Sequence, residues 1–188
     1  SVFIKLIPEK TDDIIYLSYT EDGTDPQEPK ENGFKYTGPI EFTPIDGLEK
    51  VIKIRFTAFD KAGNYSKDDT VYSFILDKKP PEDIEVYGIP ETGISKDSLK
   101  ISFVTFEGTI YYEMTSDGTI PAIPTKKSDI YSTPIRLDGK ENQEITYNIL
   151  AIAIDEMGNI SNIQKVYTVT IDKKAPDPPE KPDIIIDG

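Results

Sequence analysis

The sequence predicts an all-β protein made of two tandem β-sandwich domains. The first observation is an internal repeat at an offset of 95 residues, since Thr20–Pro26 recurs as Thr115–Pro121 and Asp60–Ser66 recurs as Asp155–Ser161. The second is a series of short segments rich in β-branched and aromatic residues. The third is that no segment combines helical periodicity with capping residues. A chain that duplicates its turns and core is an array of modules, and 188 residues suffice for two.

The opening strands are predicted at Val2–Ile7 and Leu99–Phe106. Ile14–Thr20 follows in the first repeat and Thr109–Thr115 takes its place in the second. Alternation with a period of two indicates a strand with one buried face. We expect that face to carry Ile15, Leu17 and Tyr19 in the first repeat and Ile110, Tyr112 and Met114 in the second.

The longest strand signal is Val51–Asp60, where apolar and polar side chains alternate. Its apolar positions are Ile52, Ile54, Phe56 and Ala58, and its polar positions are Lys53, Arg55 and Thr57. A last long strand is predicted at Val71–Leu76, matched by Val166–Ile171.

Glycine-containing dipeptides separate the strands. Asp22-Gly23 and Asp117-Gly118 favour positive φ and predict tight hairpins. Gly63-Asn64 is expected to reverse the chain after the long strand, because glycine and asparagine enter the left-handed region most easily. Asn64-Tyr65-Ser66 is also a glycosylation sequon, but its place in the turn indicates backbone chemistry instead.

Polar, proline-rich segments mark the domain boundaries. Such segments are semi-rigid spacers, and Asp77–Pro81 recurs as Asp172–Pro176. We place the first sandwich at residues 1–79, the second at 80–175, and a linker with the truncated first strand of a third repeat at 176–188. We expect the apolar run Ile184–Ile186 to be that strand, either disordered or added to the edge of the second sheet.

Composition narrows the functional classes. The chain has 21 basic and 34 acidic residues, a net charge of −13, and no basic cluster that would neutralise phosphates. Nucleic acid is therefore not an expected partner. Membrane insertion is not expected either, because no apolar run approaches the length needed to cross a bilayer. Because cysteine and histidine are absent, the chain cannot build a disulfide, a thiolate site or a Ser-His-Asp triad. We expect no catalytic residue and no cofactor.

Three motifs in order resemble those of a known family. The segments Tyr16–Pro26, Tyr36–Ile40 and Ala58–Ser66 are similar to the chitobiase/β-hexosaminidase C-terminal domain family. The second repeat shows the same motifs but has Met114 where the pattern has an aromatic residue. The resemblance implies an immunoglobulin-like or fibronectin-III-like β-sandwich. It also implies a non-catalytic module of bacterial secreted glycosidases or surface proteins.

Two groups of residues could form either a ligand site or a structural contact. Asp22, Asp25 and Asp60 have the chemistry of a calcium cluster, yet the same residues are suited to bonding backbone donors in turns. We expect no metal site. Exposed tyrosines would suit a carbohydrate platform, and the candidates are Tyr16, Tyr36, Tyr65, Tyr87, Tyr111 and Tyr131. Core or corner roles are the alternative for Tyr36 and Tyr131.

One asymmetry between the repeats predicts an interaction surface. The outward positions Lys53 and Arg55 correspond to Asn148 and Leu150, and Thr57 corresponds to Ile152. An apolar stripe on a sheet face usually contacts something. We therefore expect an inter-module or partner contact at Leu150 and Ile152, unless a neighbouring segment of the same domain covers them. The candidate interaction surface is Leu150, Ile152, Tyr65 and Tyr87.

These observations favour a spacer and interaction scaffold in a bacterial surface or secreted protein. The expected partners are neighbouring immunoglobulin-like repeats and a host or cell-wall protein or glycan. The expected location is the cell envelope or the extracellular space. An accessory carbohydrate-binding module of a glycoside-active enzyme is the alternative.

Overall fold

A computed structural model describes residues 1–66, 70–162 and 165–180 of the chain. The chain divides into two compact units, Ser1–Lys79 and a second that begins at Pro80. We call them unit 1 and unit 2. The predicted strand at Ile184–Ile186 lies outside the described residues.

Unit 1 is a sandwich of a four-stranded and a two-stranded sheet. Its elements are β1 (Val2–Ile4), β2 (Ile14–Thr20), α1 (Pro29–Asn32), β3 (Phe34–Lys35), β4 (Ile40–Phe42), β5 (Glu49–Phe59) and β6 (Tyr72–Asp77). The larger sheet has the order β3-β2-β5-β6, and β1 pairs with β4 in the smaller one. Phe42, Ile52 and Leu76 from both sheets form the buried core between them.

Unit 2 repeats this arrangement with more strands. Its elements are β7 (Glu85–Tyr87), β8 (Ile94–Ser95), β9 (Leu99–Val104), β10 (Thr109–Thr115), β11 (Asp129–Ile130), β12 (Ile135–Leu137), β13 (Glu144–Ile154) and β14 (Val166–Asp172). The sheets have the orders β11-β10-β13-β14-β8 and β12-β9-β7. Side chains of both sheets build the core, among them Phe103, Ile149 and Ile171. The predicted all-β fold class is confirmed.

The alternating strands were predicted closely. β2 and β10 have the bounds that the sequence indicates. Ile15 and Leu17 are buried as expected, whereas Tyr19 and Met114 are exposed. These two side chains lie near the ends of their strands and are only partly covered. The Tyr19 ring lies edge-on to Phe42 of the opposing sheet, with 5.1 Å between ring centroids.

The prediction of tight hairpins at the Asp-Gly dipeptides is wrong. Gly23 and Gly118 do have positive φ, 77° and 81°. However, β2 reaches its partner β3 only after residues 21–33, which include the single helical turn α1. One turn is too short to show periodicity, and its only sequence signal is Pro29 at the first position. We call residues 21–33, and their counterpart 116–128 in unit 2, the cover segments.

Candidate functional surface

Leu150 and Ile152 are buried, which corrects their assignment to an interaction surface. They are 4% and 0% exposed. Their strand β13 lies between β10 and β14, and its neighbours Ile149 and Ala151 face the core. Because side chains alternate along a strand, Leu150 and Ile152 lie on the opposite face of the sheet. That face is therefore covered as well.

The cover segment of unit 2 lies on this face. The Asn148 amide nitrogen, on the same face of β13, donates to the carbonyl oxygens of Gly118 and Thr119 at 3.0 and 2.9 Å. Pro121 and Pro124 of the segment are buried. The apolar stripe is thus a second layer of the core, the alternative that the sequence left open.

Unit 1 covers the equivalent face with charged groups. Arg55 forms an ion pair of 2.6 Å with Glu28 of its cover segment and donates to the Pro26 carbonyl oxygen at 3.4 Å. Lys53 forms a second ion pair, 2.7 Å from Asp25. The polar residues of β5 and the apolar residues of β13 therefore have the same role. In each unit they hold the cover segment against the sheet.

Tyr65 remains on the surface and is 42% exposed. It pairs with Phe59 in an isolated bridge, and the two rings are 5.9 Å apart and tilted by 39°. The Lys30 ammonium nitrogen lies 4.1 Å from the centre of the Tyr65 ring. The Lys30 ammonium group occupies one face of the Tyr65 ring. The neighbouring Phe59 ring is not coplanar with the Tyr65 ring. Tyr65 is therefore a single exposed ring rather than part of a flat platform.

Tyr87 is the most exposed of the predicted surface residues, at 55%. It lies at the end of β7, and its hydroxyl donates to the Glu85 carboxylate. This hydrogen bond raises the pKa of the Tyr87 phenol. The group stays neutral and able to donate at neutral pH.

The other candidate tyrosines have structural roles. Tyr131 packs edge-on against Phe103 at 5.3 Å, and the Tyr36 hydroxyl accepts a hydrogen bond from the Leu6 backbone at 3.1 Å. These contacts fit the core or corner role, which was the alternative to a carbohydrate platform. Tyr16 is half-buried against Phe59, and Tyr111 is half-buried on β10.

The candidate calcium ligands do not converge. Asp22 and Asp25 follow the end of β2, whereas Asp60 lies beside its start, because Ile14 pairs with Phe59. Seven residues of strand separate the two ends, about 20 Å at 3.3 Å per residue. Within residues 1–66, 70–162 and 165–180, no group of three or more acidic side chains is placed to hold a metal ion.

Each of these carboxylates has a local function instead. Asp22 accepts hydrogen bonds from the backbone and hydroxyl of Thr24 at 3.0 and 2.6 Å, which lower its pKa. Asp60 accepts from Asn64 at 2.8 Å through both the backbone and the side-chain amide, and these bonds lower its pKa. The carboxylates stabilise turns.

The Asn-x-Ser motif likewise serves the backbone. Beyond the Asn64 contact with Asp60, the Ser66 hydroxyl accepts from the Ala58 amide at 3.0 Å. In unit 2 the buried Ser161 hydroxyl makes the same contact with Ala153 at 3.1 Å. The prediction of backbone chemistry is confirmed in both units.

Unit 1 has an open cleft that was not predicted from the sequence. An open cleft of about 570 Å³ lies between the β1–β2 connection and the segment before β4, with Leu6, Asp12 and Tyr36 in its lining. The corresponding sequence signal is the length of the β1–β2 connection, which is longer than the β9–β10 connection of unit 2.

Residues 4–71 match the model of the family described as Fn3 associated. The match supports a fibronectin-III-related, immunoglobulin-like module, which is a non-catalytic type, and does not support the narrower chitobiase C-terminal family. No curated protein gave a significant match. In the described part of the chain, no helix is long and apolar enough to cross a membrane.

Proposed function

We propose that this chain is a spacer and interaction scaffold of a bacterial surface or secreted protein, in which immunoglobulin-like units are joined by short, anchored linkers. The observation that carries this proposal is the way the chain leaves each unit. In unit 1, the Lys78 amide donates to the Leu48 carbonyl oxygen and the Lys78 carbonyl accepts from Gly47, both at 2.9 Å. The exit of unit 1 is therefore tied to the turn before β5.

Unit 2 repeats these contacts at the same offset. The Lys173 amide donates to Gln143 at 3.0 Å, and the Lys173 carbonyl accepts from Asn142 at 3.2 Å. Asn142 has φ 60° where unit 1 has Gly47 at 79°. Asparagine is one of the few residues that enter this region at modest cost. The exit geometry is preserved although the residue has changed.

A carboxylate adds one more hydrogen bond where the chain leaves each unit. Asp77 accepts from the Lys79 amide at 2.8 Å, and Asp172 accepts from the Lys174 amide at 2.9 Å. At the entry to unit 2, Pro81 is buried and Ile84 packs against the core. Pro80 alone separates the two anchored stretches. A linker this short, with φ fixed by proline, suits a spacer better than a flexible tether.

Spin labels can test this directly, because the chain has no cysteine of its own. The labels would be attached to the exposed sites Ser73→Cys and Ser116→Cys, one in each unit. A spacer predicts a narrow distance distribution by double electron–electron resonance. Inserting Gly-Gly-Ser-Gly-Gly between Lys79 and Pro80 is expected to broaden it.

The matched control places the same insertion between Pro179 and Glu180, outside the labelled interval, and is expected to leave the distribution narrow. A distribution in the parent chain as broad as in the linker variant would refute the spacer role. A glycan array tests the carbohydrate alternative. Sugar binding lost in Tyr65→Ala would replace the scaffold function with an accessory-module function.

A further inference from the structure

A row of ion pairs joins the cover segment of unit 1 to strand β5. In each pair the cation belongs to β5 and the carboxylate to the cover segment. The pairs are Lys50–Glu21 at 2.7 Å, Lys53–Asp25 at 2.7 Å and Arg55–Glu28 at 2.6 Å. They begin at the first residue of the segment and extend to Glu28, the N-cap of α1. The segment is therefore attached by charge along more than half of its length.

Unit 2 has an uncharged residue at all six of these positions. At the repeat offset, the three cations correspond to Ile145, Asn148 and Leu150, and the three acids correspond to Ser116, Ile120 and Ile123. Among the residues that the structure describes, no side chain of the unit 2 cover segment forms an ion pair. Both sides of the contact are charged in unit 1 and uncharged in unit 2, so the three pairs form a single attachment.

Solvent and its ions reach all three pairs. The acidic side chains of Glu21, Asp25 and Glu28 are 44%, 70% and 48% exposed. Exposed ion pairs are screened by salt, and the Debye length falls from about 10 Å at 0.1 M to about 3 Å at 1 M. The attachment of the unit 1 segment is therefore expected to weaken as the ionic strength rises.

The sheet face beneath the cover segment is polar in unit 1 and apolar in unit 2. In unit 1 it carries the buried side chains of Ser18 and Thr57, and the Ser18 hydroxyl donates to the Gln27 carbonyl oxygen of the segment. Water can replace such contacts when the segment lifts. In unit 2 the same movement would expose Leu150 and Ile152, which the hydrophobic effect opposes and salt does not promote. The two segments therefore respond differently to salt.

We propose that the cover segment of unit 1 is a salt-sensitive strap, which lifts from the sheet as the ionic strength rises while the segment of unit 2 stays in place. The inference goes beyond the spacer function and does not depend on it. Lifting is a local opening of one part of the unit, with the core between the two sheets kept. It uncovers Lys53, Arg55 and Thr57, so the ionic strength controls access to this face of β5.

Labelling of a single introduced cysteine measures the opening, because the chain has no cysteine of its own. Thr57→Cys places a thiol on the covered face of unit 1, and Ile152→Cys is its counterpart in unit 2. Raising sodium chloride from about 0.1 M to about 1 M is expected to speed the reaction of Thr57→Cys with a neutral thiol reagent by about tenfold. The rate at Ile152→Cys is expected not to rise. No rise at Thr57→Cys, or an equal rise at both sites, would overturn the proposal.

Two further variants separate lifting of the segment from unfolding of the unit. Ile52→Cys places the thiol on the core face of β5, where labelling is expected to stay slow in salt. An equal rise there would mean that the whole unit opens, against the proposal. Adding Asp25→Asn and Glu28→Gln to Thr57→Cys removes two of the ion pairs, so labelling is expected to be faster at low salt and to depend less on salt. An unchanged salt dependence would show that the pairs do not hold the segment.

Hydrogen exchange tests the strap in the chain without substitutions. The Gly23 amide of the cover segment donates to the Val51 carbonyl oxygen of β5 at 3.0 Å. Its exchange is expected to accelerate by about tenfold over the same range of salt. A Gly23 amide that exchanges at the same rate at both salt concentrations would contradict the proposal.

Discussion

Replacing Ile152 with alanine measures directly whether the outer face of β13 is part of the core. Ile152 is 0% exposed, and the change removes three carbon atoms from a covered site. Isoleucine-to-alanine changes at such sites cost about 2–5 kcal/mol. For a unit of this size, that lowers the melting temperature by on the order of 10–30 °C. Differential scanning calorimetry of the full chain is expected to show the loss in the transition of unit 2, with unit 1 unchanged.

The control for this prediction is Ile120→Ala, which removes the same atoms from a side chain that is 76% exposed. Its cost is expected to stay within about 0.5 kcal/mol, as for most surface changes. If the two variants lowered the melting temperature equally, Ile152 would not be covered. The apolar stripe would then again be a candidate contact surface.

Three other changes test local features of the units. Ser161→Ala removes a buried acceptor and is expected to cost about 1–3 kcal/mol in chemical denaturation, more than its exposed counterpart Ser66→Ala. Gly88→Ala is expected to destabilise unit 2 more than Gly118→Ala, because both have positive φ but only the first places a Cβ 2.1 Å from a backbone oxygen. Hydrogen bonds from Ser98, Lys173 and Arg136 lower the pKa of Asp138 from its ordinary 3.8. The stability they contribute is present above that pH and lost as the pH falls further, so Asp138→Asn is expected to flatten the acid limb of a melting-temperature profile.

Residue composition was sufficient to place β2 and β10. Ile14–Thr20 and Thr109–Thr115 are runs rich in β-branched and aromatic residues, and the structure gives both strands those bounds. The Asn64 and Ser66 turn was also predictable, since its partners lie within a few residues. Local chemistry of this kind does not depend on which distant segment packs against it.

The course of the cover segments depends on packing against residues that are distant in the sequence. The sequence analysis did not predict it. An Asp-Gly dipeptide sets positive φ at one residue, but it does not fix where the following dozen residues lie. In unit 2 they cross back over the sheet, and the Asn148 contacts with Gly118 and Thr119 hold them there. Helix α1 in unit 1 also depends on distant packing, because it lies against β2 and β5.

The mistaken surface at Leu150 and Ile152 came from applying alternation to a strand that does not alternate. Ile149–Ile154 is an unbroken apolar run, and such a run predicts a strand that is buried on both faces. In unit 1 the equivalent face of β5 carries Lys53 and Arg55, which resemble a solvated face although each pairs with its cover segment. Because the first repeat is polar at these positions, the apolar residues of the second repeat were interpreted as a contact surface. The structure shows instead that each of these faces contacts the cover segment of its own unit, so the residues of a strand have to be interpreted together with those of its cover segment.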